Sequence, residues 1–259
     1  MSSRIPANSA IPIFSISKNT RELRDSISRI STGLKVIGGN NAASHSLGDS
    51  LKASANSYES ASINSQQGLD LLTLVESALL ELNALTTRLK EIGVADTLST
   101  NTTHETTALN AEAIAVSDTI DSIVSSLVYN NINILGTSAK TFNIGIDANS
   151  NTQTIKTTVG IAATNITDAT GTNNSADTTL GEITQSMGHV AGGFQSLQSF
   201  QNVADSTHAN LIQAASNLQD TNLAHETAKV TKNQIIRNYA ISMVAHANNQ
   251  ELEKLNLLA

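Results

Sequence analysis

The side chains able to bind metals or move protons are few and scattered. Six histidines (His45, His104, His189, His208, His225, His246) share no metal-ligand spacing, and no HExxH run is present. There is no cysteine, so thiolate ligation and thiol nucleophiles are excluded. Gly38-Gly39-Asn40-Asn41 is a glycine pair without the GxxxxGK[ST] context of a phosphate loop. The basic residues of the first 35 positions lie without the interleaved aromatics or Gly-Arg runs of a nucleic-acid arm, and read as a solvated helix face. Asn101-Thr102-Thr103, Asn165-Ile166-Thr167 and Asn173-Asn174-Ser175 match the N-glycosylation triplet, which arises often by chance in an Asn- and Thr-rich chain. The sequence therefore assigns no catalytic residue, no cofactor and no metal, and the chain reads as something other than an enzyme.

What remains is pattern, and the pattern is helical. Only 3% of the 259 residues are aromatic and there is no tryptophan, so a thick globular core is not expected. Ala, Ser, Asn, Thr, Leu and Ile instead suit thin seams between helices. Across 180–218, steps of three and four give Leu180, Ile183, Met187, Val190, Phe194, Leu197, Gln201, Ala204, His208, Leu211, Ala215 and Leu218, a sustained coiled-coil stripe. A stripe on the order of 55–60 Å long must meet equally long partners. His208 on it is expected to be a packed, hydrogen-bonded core histidine.

The partners recur along the chain. Ile13, Ile16, Thr20, Leu23, Ile27, Ile30 and Leu34 form a first amphipathic helix, bounded in front by Pro6 and Pro12 and behind by 38–41. Leu72, Val75, Leu79, Leu82, Thr86 and Leu89 form a second seam, and Leu109, Ala113, Val116, Ile120, Ile123 and Leu127 a third. Phe142, Ile144 and Ile146 then alternate before a turn and a β-branched run, which predicts one β-hairpin at about 141–159. The aperiodic, polar stretch 160–179 reads as a loop. The C-terminal segment carries two stripes: Ile236, Ala240, Met243 and Ala247 on one face, Ile241, Val244 or Ala245, Leu252 and Leu255 on another. Two stripes on a terminal helix predict one contact within the chain and one to another copy. The fold class is mainly α, with long antiparallel helices forming a coiled-coil rod, one small β-hairpin and terminal helical arms. The expected division is an N-terminal arm over 1–40, a rod over 41–221 and a C-terminal arm over 222–259.

Charge follows the same division. Residues 1–35 hold six basic and two acidic side chains and 222–259 hold four basic and three acidic, so the ends carry +5 within a net charge of −7. The opening residues lack the apolar core and cleavage site of a signal peptide, and no stretch is apolar enough to insert in a membrane.

Ile27-Ser28-Arg29-Ile30-Ser31-Thr32-Gly33-Leu34-Lys35 with Asn40-Asn41-Ala42-Ala43-Ser44 resembles the N-terminal signature of bacterial flagellins, and Gln67-Gly68-Leu69 through Arg88-Leu89-Lys90-Glu91-Ile92 continues it. Leu218-Gln219-Asp220-Thr221-Asn222 and the run from Gln234 to Leu258 resemble the family's C-terminus. Asn40-Asn41 replaces the family's usual acidic pair, and Glu251-Leu252-Glu253 stands where a proline-containing stretch is common. The resemblance implies a short flagellin reduced to its polymerising parts: a secreted subunit of the extracellular filament, exported without a cleaved signal peptide, whose terminal arms form an inner coiled coil. It implies self-assembly through Ile13, Ile16, Leu23, Ile27, Ile30, Leu34, Ile236, Met243, Ile241, Val244, Leu252 and Leu255. The alternative is a hook–filament junction protein of the same superfamily. Further partners implied are an export chaperone, junction and cap proteins, and the vertebrate innate receptor for flagellin, whose contact surface maps to Arg88, Ile92 and Glu112. Gly93, where the family commonly has Ala, is expected to loosen the helix there.

Overall fold

The computed structural model describes residues 7–35, 42–162 and 164–257, with the side chains of 7–12, 251 and 255–257 left undescribed. Five helices and four short strands follow in the order α1 (Ala7–Thr32), α2 (Ala42–Asp96), α3 (Thr103–Ser126), β1 (Val128–Tyr129), β2 (Ile132–Asn133), β3 (Lys140–Gly145), β4 (Thr152–Thr158), α4 (Thr172–Gln219) and α5 (Leu223–Leu257). The chain divides into two compact units, Ser54–Asn210 and Met1–Ala53 with Leu211–Ala259. Both boundaries fall inside the stretch expected to be rod. The predicted break at 38–41 lies outside the described residues. α1 starts at Ala7, ahead of Pro12, whose missing N–H forgoes only the bond to the Asn8 carbonyl near the helix start.

In the Ser54–Asn210 unit, the α2 seam is as its spacing predicts: Leu72, Val75, Leu79, Leu82, Thr86 and Leu89 are all fully buried. Contacts between α2 and α4 pair Ala55 with His208, Gln66 with Gln201 and Lys90 with Asp177, so the two helices run antiparallel. The buried stripe of α4 is offset from the expected one. Ile183, Val190, Leu197 and Ala204 are inside as predicted, but the intervening places go to Ala176, Thr179, Ser186 and Gly193, while Met187 and Phe194 are half-buried at the flank. Small residues win the centre because they let the backbones close up: a Cβ on Gly193 would stand 2.9 Å from Leu72 Cδ1, and one on Gly68 of α2 would stand 2.7 Å from Leu197 Cδ1. In α3, Ala113 and Ile120 are buried with Ser117 and Val124, whereas Leu109, Val116, Ile123 and Leu127 are partly covered.

Two strand pairs are present rather than the single predicted hairpin. β3 and β4 pair antiparallel from Gly145↔Thr152 to Lys140↔Thr158, with a register shift between Lys140 and Thr141. Asp147 organises their turn by accepting from the Asn149 and Asn151 N–H groups at 2.8 and 3.0 Å. The added pair, β1 with β2, closes through Asn130 and Asn131, at φ +49° and +63°; asparagine tolerates this left-handed geometry. Its two-residue strands are too short to leave a period in the sequence.

The expected loop over 160–179 is also corrected, because α4 begins at Thr172 and residues 172–179 belong to the helix. Thr172, Ala176 and Thr179 lie buried on its seam, small and polar enough to conceal the helical period. What is left of the loop is pinned to α3. The Thr164 N–H donates to Asp121 Oδ1 at 3.0 Å and the Ala169 N–H to Asn110 Oδ1 at 2.7 Å, while the Ser117 and Thr164 hydroxyls meet at 2.5 Å. Side chains on one face of α3 thus satisfy a backbone that has no strand partner.

Candidate assembly surface

The terminal helices α1 and α5 belong to one unit and pack on each other. At their shared end, the Lys35 N–H donates to the Gln219 carbonyl at 2.7 Å and the Thr221 N–H to the Gly33 carbonyl at 2.8 Å. Leu34 and Asp220 form an antiparallel bridge there, so Leu34 serves the junction rather than a coiled-coil seam. Gly33 takes φ +72°, a conformation that favours glycine, to enter it. Gln219 is buried in a slot above Gly48, where a Cβ would stand 2.6 Å from its side chain, and it donates to the His45 carbonyl at 3.0 Å and Asp49 Oδ1 at 2.7 Å.

The seam between α1 and α5 is polar. The buried residues are Asn19, Leu23 and Ser26 on α1 and Glu226, Asn233 and Ala240 on α5. Glu226 Oε1 accepts from Lys229 Nζ at 3.0 Å, with Arg29 Nη1 at 3.5 Å. Burial pushes the Glu226 carboxyl up; the adjacent Ser26 hydroxyl and the Lys229 and Arg29 groups more than offset this, so it ionises below the usual glutamate range.

Apolar side chains meanwhile face outward. Of the predicted assembly residues, Leu23 is buried, Ile16, Ile30, Leu34 and Val244 are half-buried, and Ile13, Ile27, Ile236, Ile241, Met243 and Leu252 are exposed. The Leu255 side chain lies outside the described residues. Of the stripe Ile236, Ala240, Met243 and Ala247, only Ala240 is buried and Ala247 half-buried. Sequence reasoning also missed Phe14 at 67% and Tyr239 at 70% exposure, with Ile235 beside it. Ile235 and Tyr239, four apart with Met243 four further on, form a stripe that the polar residues between them hid.

The other predicted surface is split. Arg88 Nη2 meets Glu112 Oε1 at 2.6 Å and its Nη1 meets Glu91 Oε2 at 3.1 Å, tying α2 to α3 with both partners half-exposed. Hydrogen bonds and charge from Glu112 and Glu91 hold the guanidinium pKa above its ordinary value. Ile92, by contrast, is 2% exposed and packed in the core, so it is unavailable as an apolar anchor on that surface. At Gly93 α2 continues unbroken and the absent side chain admits the start of α4, since a Cβ there would lie 2.1 Å from Thr172 Oγ1. Of the candidate glycosylation asparagines, Asn101 Nδ2 donates to the Ala95 carbonyl at 2.9 Å, and Asn173 Oδ1 is enclosed beside Gly93 without a hydrogen-bond partner. His208 is half-buried on the α4 seam and its Nδ1–H donates to the Ala55 carbonyl at 3.0 Å. Among the described residues no three His, Asp or Glu side chains could hold a metal ion, and no helix is long and apolar enough to cross a membrane.

Exposed apolar side chains on α1 and α5 thus flank a polar internal seam. A family model for the bacterial flagellin N-terminal helical region matches residues 5–140. The chain is 27% identical over 259 residues to a flagellin of Halalkalibacterium halodurans, covering 93% of each chain. It is 26% identical to a flagellin of Bacillus subtilis, covering 94% of this chain and 95% of that one. It is 24% identical to flagellin FlaB2 of Treponema pallidum, covering 91% and 92%. The junction-protein alternative finds no support among these relatives. A model match over more than half the chain, with relatives matched over more than nine-tenths of both chains, places this protein in the bacterial flagellin family.

Proposed function

We propose that this flagellin, a structural subunit of the extracellular bacterial filament, polymerises by packing the exposed apolar faces of α1 and α5 against neighbouring copies. One observation carries the reading: Ile13, Phe14 and Ile27 on α1 and Ile235, Ile236, Tyr239, Ile241, Met243 and Leu252 on α5 face solvent in the single chain, while the α1–α5 seam buries Asn19, Ser26 and Asn233. Large apolar side chains exposed in this number on two helices mark an interaction site. Burying a large apolar side chain supplies about 1.5–3 kcal/mol, so covering these residues against neighbouring copies favours association. Residues 1–40 and 222–259 act in this reading as the assembly arms and 41–221 as the rod.

Seeded polymerisation tests it. Tyr239→Asp and Ile241→Asp each place a charge where a neighbour must pack, and are expected to abolish elongation from filament fragments while far-UV circular dichroism of the monomer stays unchanged. Normal elongation by both variants would overturn the reading. Export with the N-terminal residues intact, and interaction with a chaperone, junction and cap proteins, belong to the same proposal. Mass spectrometry of protein sheared from cells checks the first. Receptor recognition through Arg88 and Glu112, with Ile92 excluded by its burial, is the remaining surface proposal.

A further inference from the structure

The chain contains five Asn-Ser pairs and no Asn-Gly pair. In an Asn-Ser pair the small second residue lets its backbone nitrogen reach the side-chain amide carbon of the first. The Asn8 side chain is undescribed; the other four asparagines, Asn56, Asn64, Asn149 and Asn174, are all exposed. Exposure therefore does not separate them, but the backbone does. Ser57 and Ser65 lie well inside α2, where backbone N–H groups are committed to the helix. Ser175 lies in the first turn of α4, and its N–H makes a long bond of 3.5 Å to the Gly171 carbonyl. Ser150 stands in the turn between β3 and β4.

That turn is built around Asp147 and leaves Ser150 out. Asp147 Oδ1 accepts from the Asn149 N–H at 2.8 Å and from the Asn151 N–H at 3.0 Å, and Asp147 Oδ2 accepts from Asn151 Nδ2. The Ile146 N–H donates to the Asn151 carbonyl at 3.0 Å, which closes the turn. Between these anchored amides the Ser150 N–H has no hydrogen-bond partner among the described residues, and neither has the Asn149 carboxamide. Ser150 holds φ +65°, in the left-handed region that few non-glycine residues adopt. The Ser150 nitrogen and the Asn149 amide carbon can thus meet without breaking a bond of the fold, whereas at Asn56 and Asn64 the helix must open first.

We propose that Asn149 is a site of spontaneous deamidation, converting through a cyclic imide with Ser150 to aspartate and isoaspartate. The Ser150 amide nitrogen gives its proton to hydroxide and bonds to Asn149 Cγ, the Cγ–Nδ2 bond breaks, and ammonia leaves. Water then opens the imide ring. Opening at the Cγ–N bond restores the ordinary main chain with aspartate at 149; opening at the other carbonyl routes the main chain through the side chain as isoaspartate. No oxidant or reductant takes part. Either product sets a second carboxylate beside Asp147. Isoaspartate also lengthens the main chain by a methylene, so the amides of 149 and 151 no longer share Asp147 Oδ1.

The test holds full-length monomer in mildly alkaline buffer and follows the amide-to-acid mass gain at each site by peptide mass spectrometry. Heavy-oxygen water marks the ring-opening step, and electron-transfer fragmentation separates isoaspartate from aspartate. Asn149 should convert at least about tenfold faster than Asn56 and Asn64, the ratio that a local helix opening of about 1.4 kcal/mol imposes, with Asn174 between them. In guanidinium chloride the four rates should draw together, because only the fold distinguishes the pairs. Asn149→Gln, whose longer side chain closes the ring poorly, should abolish conversion at this position. Ser150→Gly, which keeps the positive φ without strain, should accelerate it. In converted protein the Asn151 amide should exchange hydrogen faster. Equal rates at Asn149, Asn56 and Asn64 in the folded chain, a ranking unchanged in guanidinium chloride, or aspartate formed without isoaspartate would each overturn the proposal.

Discussion

Replacing Gly93 by alanine sets two effects against each other that the structure resolves. In an exposed helix interior the change is expected to stabilise by about 1 kcal/mol, because glycine carries the larger entropic cost of ordering. At Gly93, however, the added Cβ would lie 2.1 Å from Thr172 Oγ1 and 3.0 Å from the Asn173 backbone nitrogen. Thr172 is fully buried and its hydroxyl donates to the Ala169 carbonyl at 2.9 Å, so it cannot simply swing aside. The start of α4 must move instead. Overpacking of this kind costs about 1–3 kcal/mol, and combining the two terms gives a net loss of up to about 2 kcal/mol, or a fall in melting temperature of up to roughly 8 °C at this chain length. Gly188→Ala and Gly192→Ala are the internal controls, since nothing lies within 4 Å of a Cβ at either position; each should stabilise by about 0.5–1 kcal/mol. Thermal and urea unfolding followed by circular dichroism reads all three. Adding Thr172→Ala to Gly93→Ala should recover more than the sum of the single changes predicts. If Gly93→Ala proves as stabilising as Gly188→Ala, the close approach of α4 to α2 is wrong.

Three further outcomes follow from named contacts. Because the Glu226 carboxyl ionises below the usual range in the folded chain, its contribution to stability is complete above the unfolded glutamate value of about 4.3 and is lost as pH falls through the lower folded value; Glu226→Gln should flatten that acid limb in urea unfolding followed by circular dichroism. Thr102 and Glu105 form a reciprocal cap at the start of α3, each accepting from the other's backbone N–H, so Thr102→Ala should cost about 1 kcal/mol and speed hydrogen exchange in the first turn of that helix. Arg88→Ala should change global stability by less than about 1 kcal/mol, as expected for a half-exposed ion pair; in reporter cells bearing the innate flagellin receptor, Arg88→Asp should reduce the response to monomer, and an undiminished response removes that surface from consideration.

The sequence by itself determined the helices, and for α2 their buried face, because six large or β-branched residues at three- and four-residue steps admit one inward orientation. It also determined the family, through signatures at both ends of the chain. Tertiary structure decided where small or polar residues hold the centre of a seam. Thr172, Ala176, Thr179, Ser186 and Gly193 carry no hydrophobic period, yet they are buried because α4 approaches its neighbours closely. The loop after β4 looked solvent-exposed for the same reason; its polar composition does not reveal that Asn110, Ser117 and Asp121 of α3 supply its hydrogen-bond partners. On α1 and α5, periodicity identified apolar stripes without saying which way they face. A stripe that packs inside one chain and a stripe that packs between chains have the same spacing, and only the polar α1–α5 seam turns Ile27, Ile236 and Met243 outward. That direction is set by which partner covers each face, and the identity of the partner is a property of three-dimensional packing rather than of residue order.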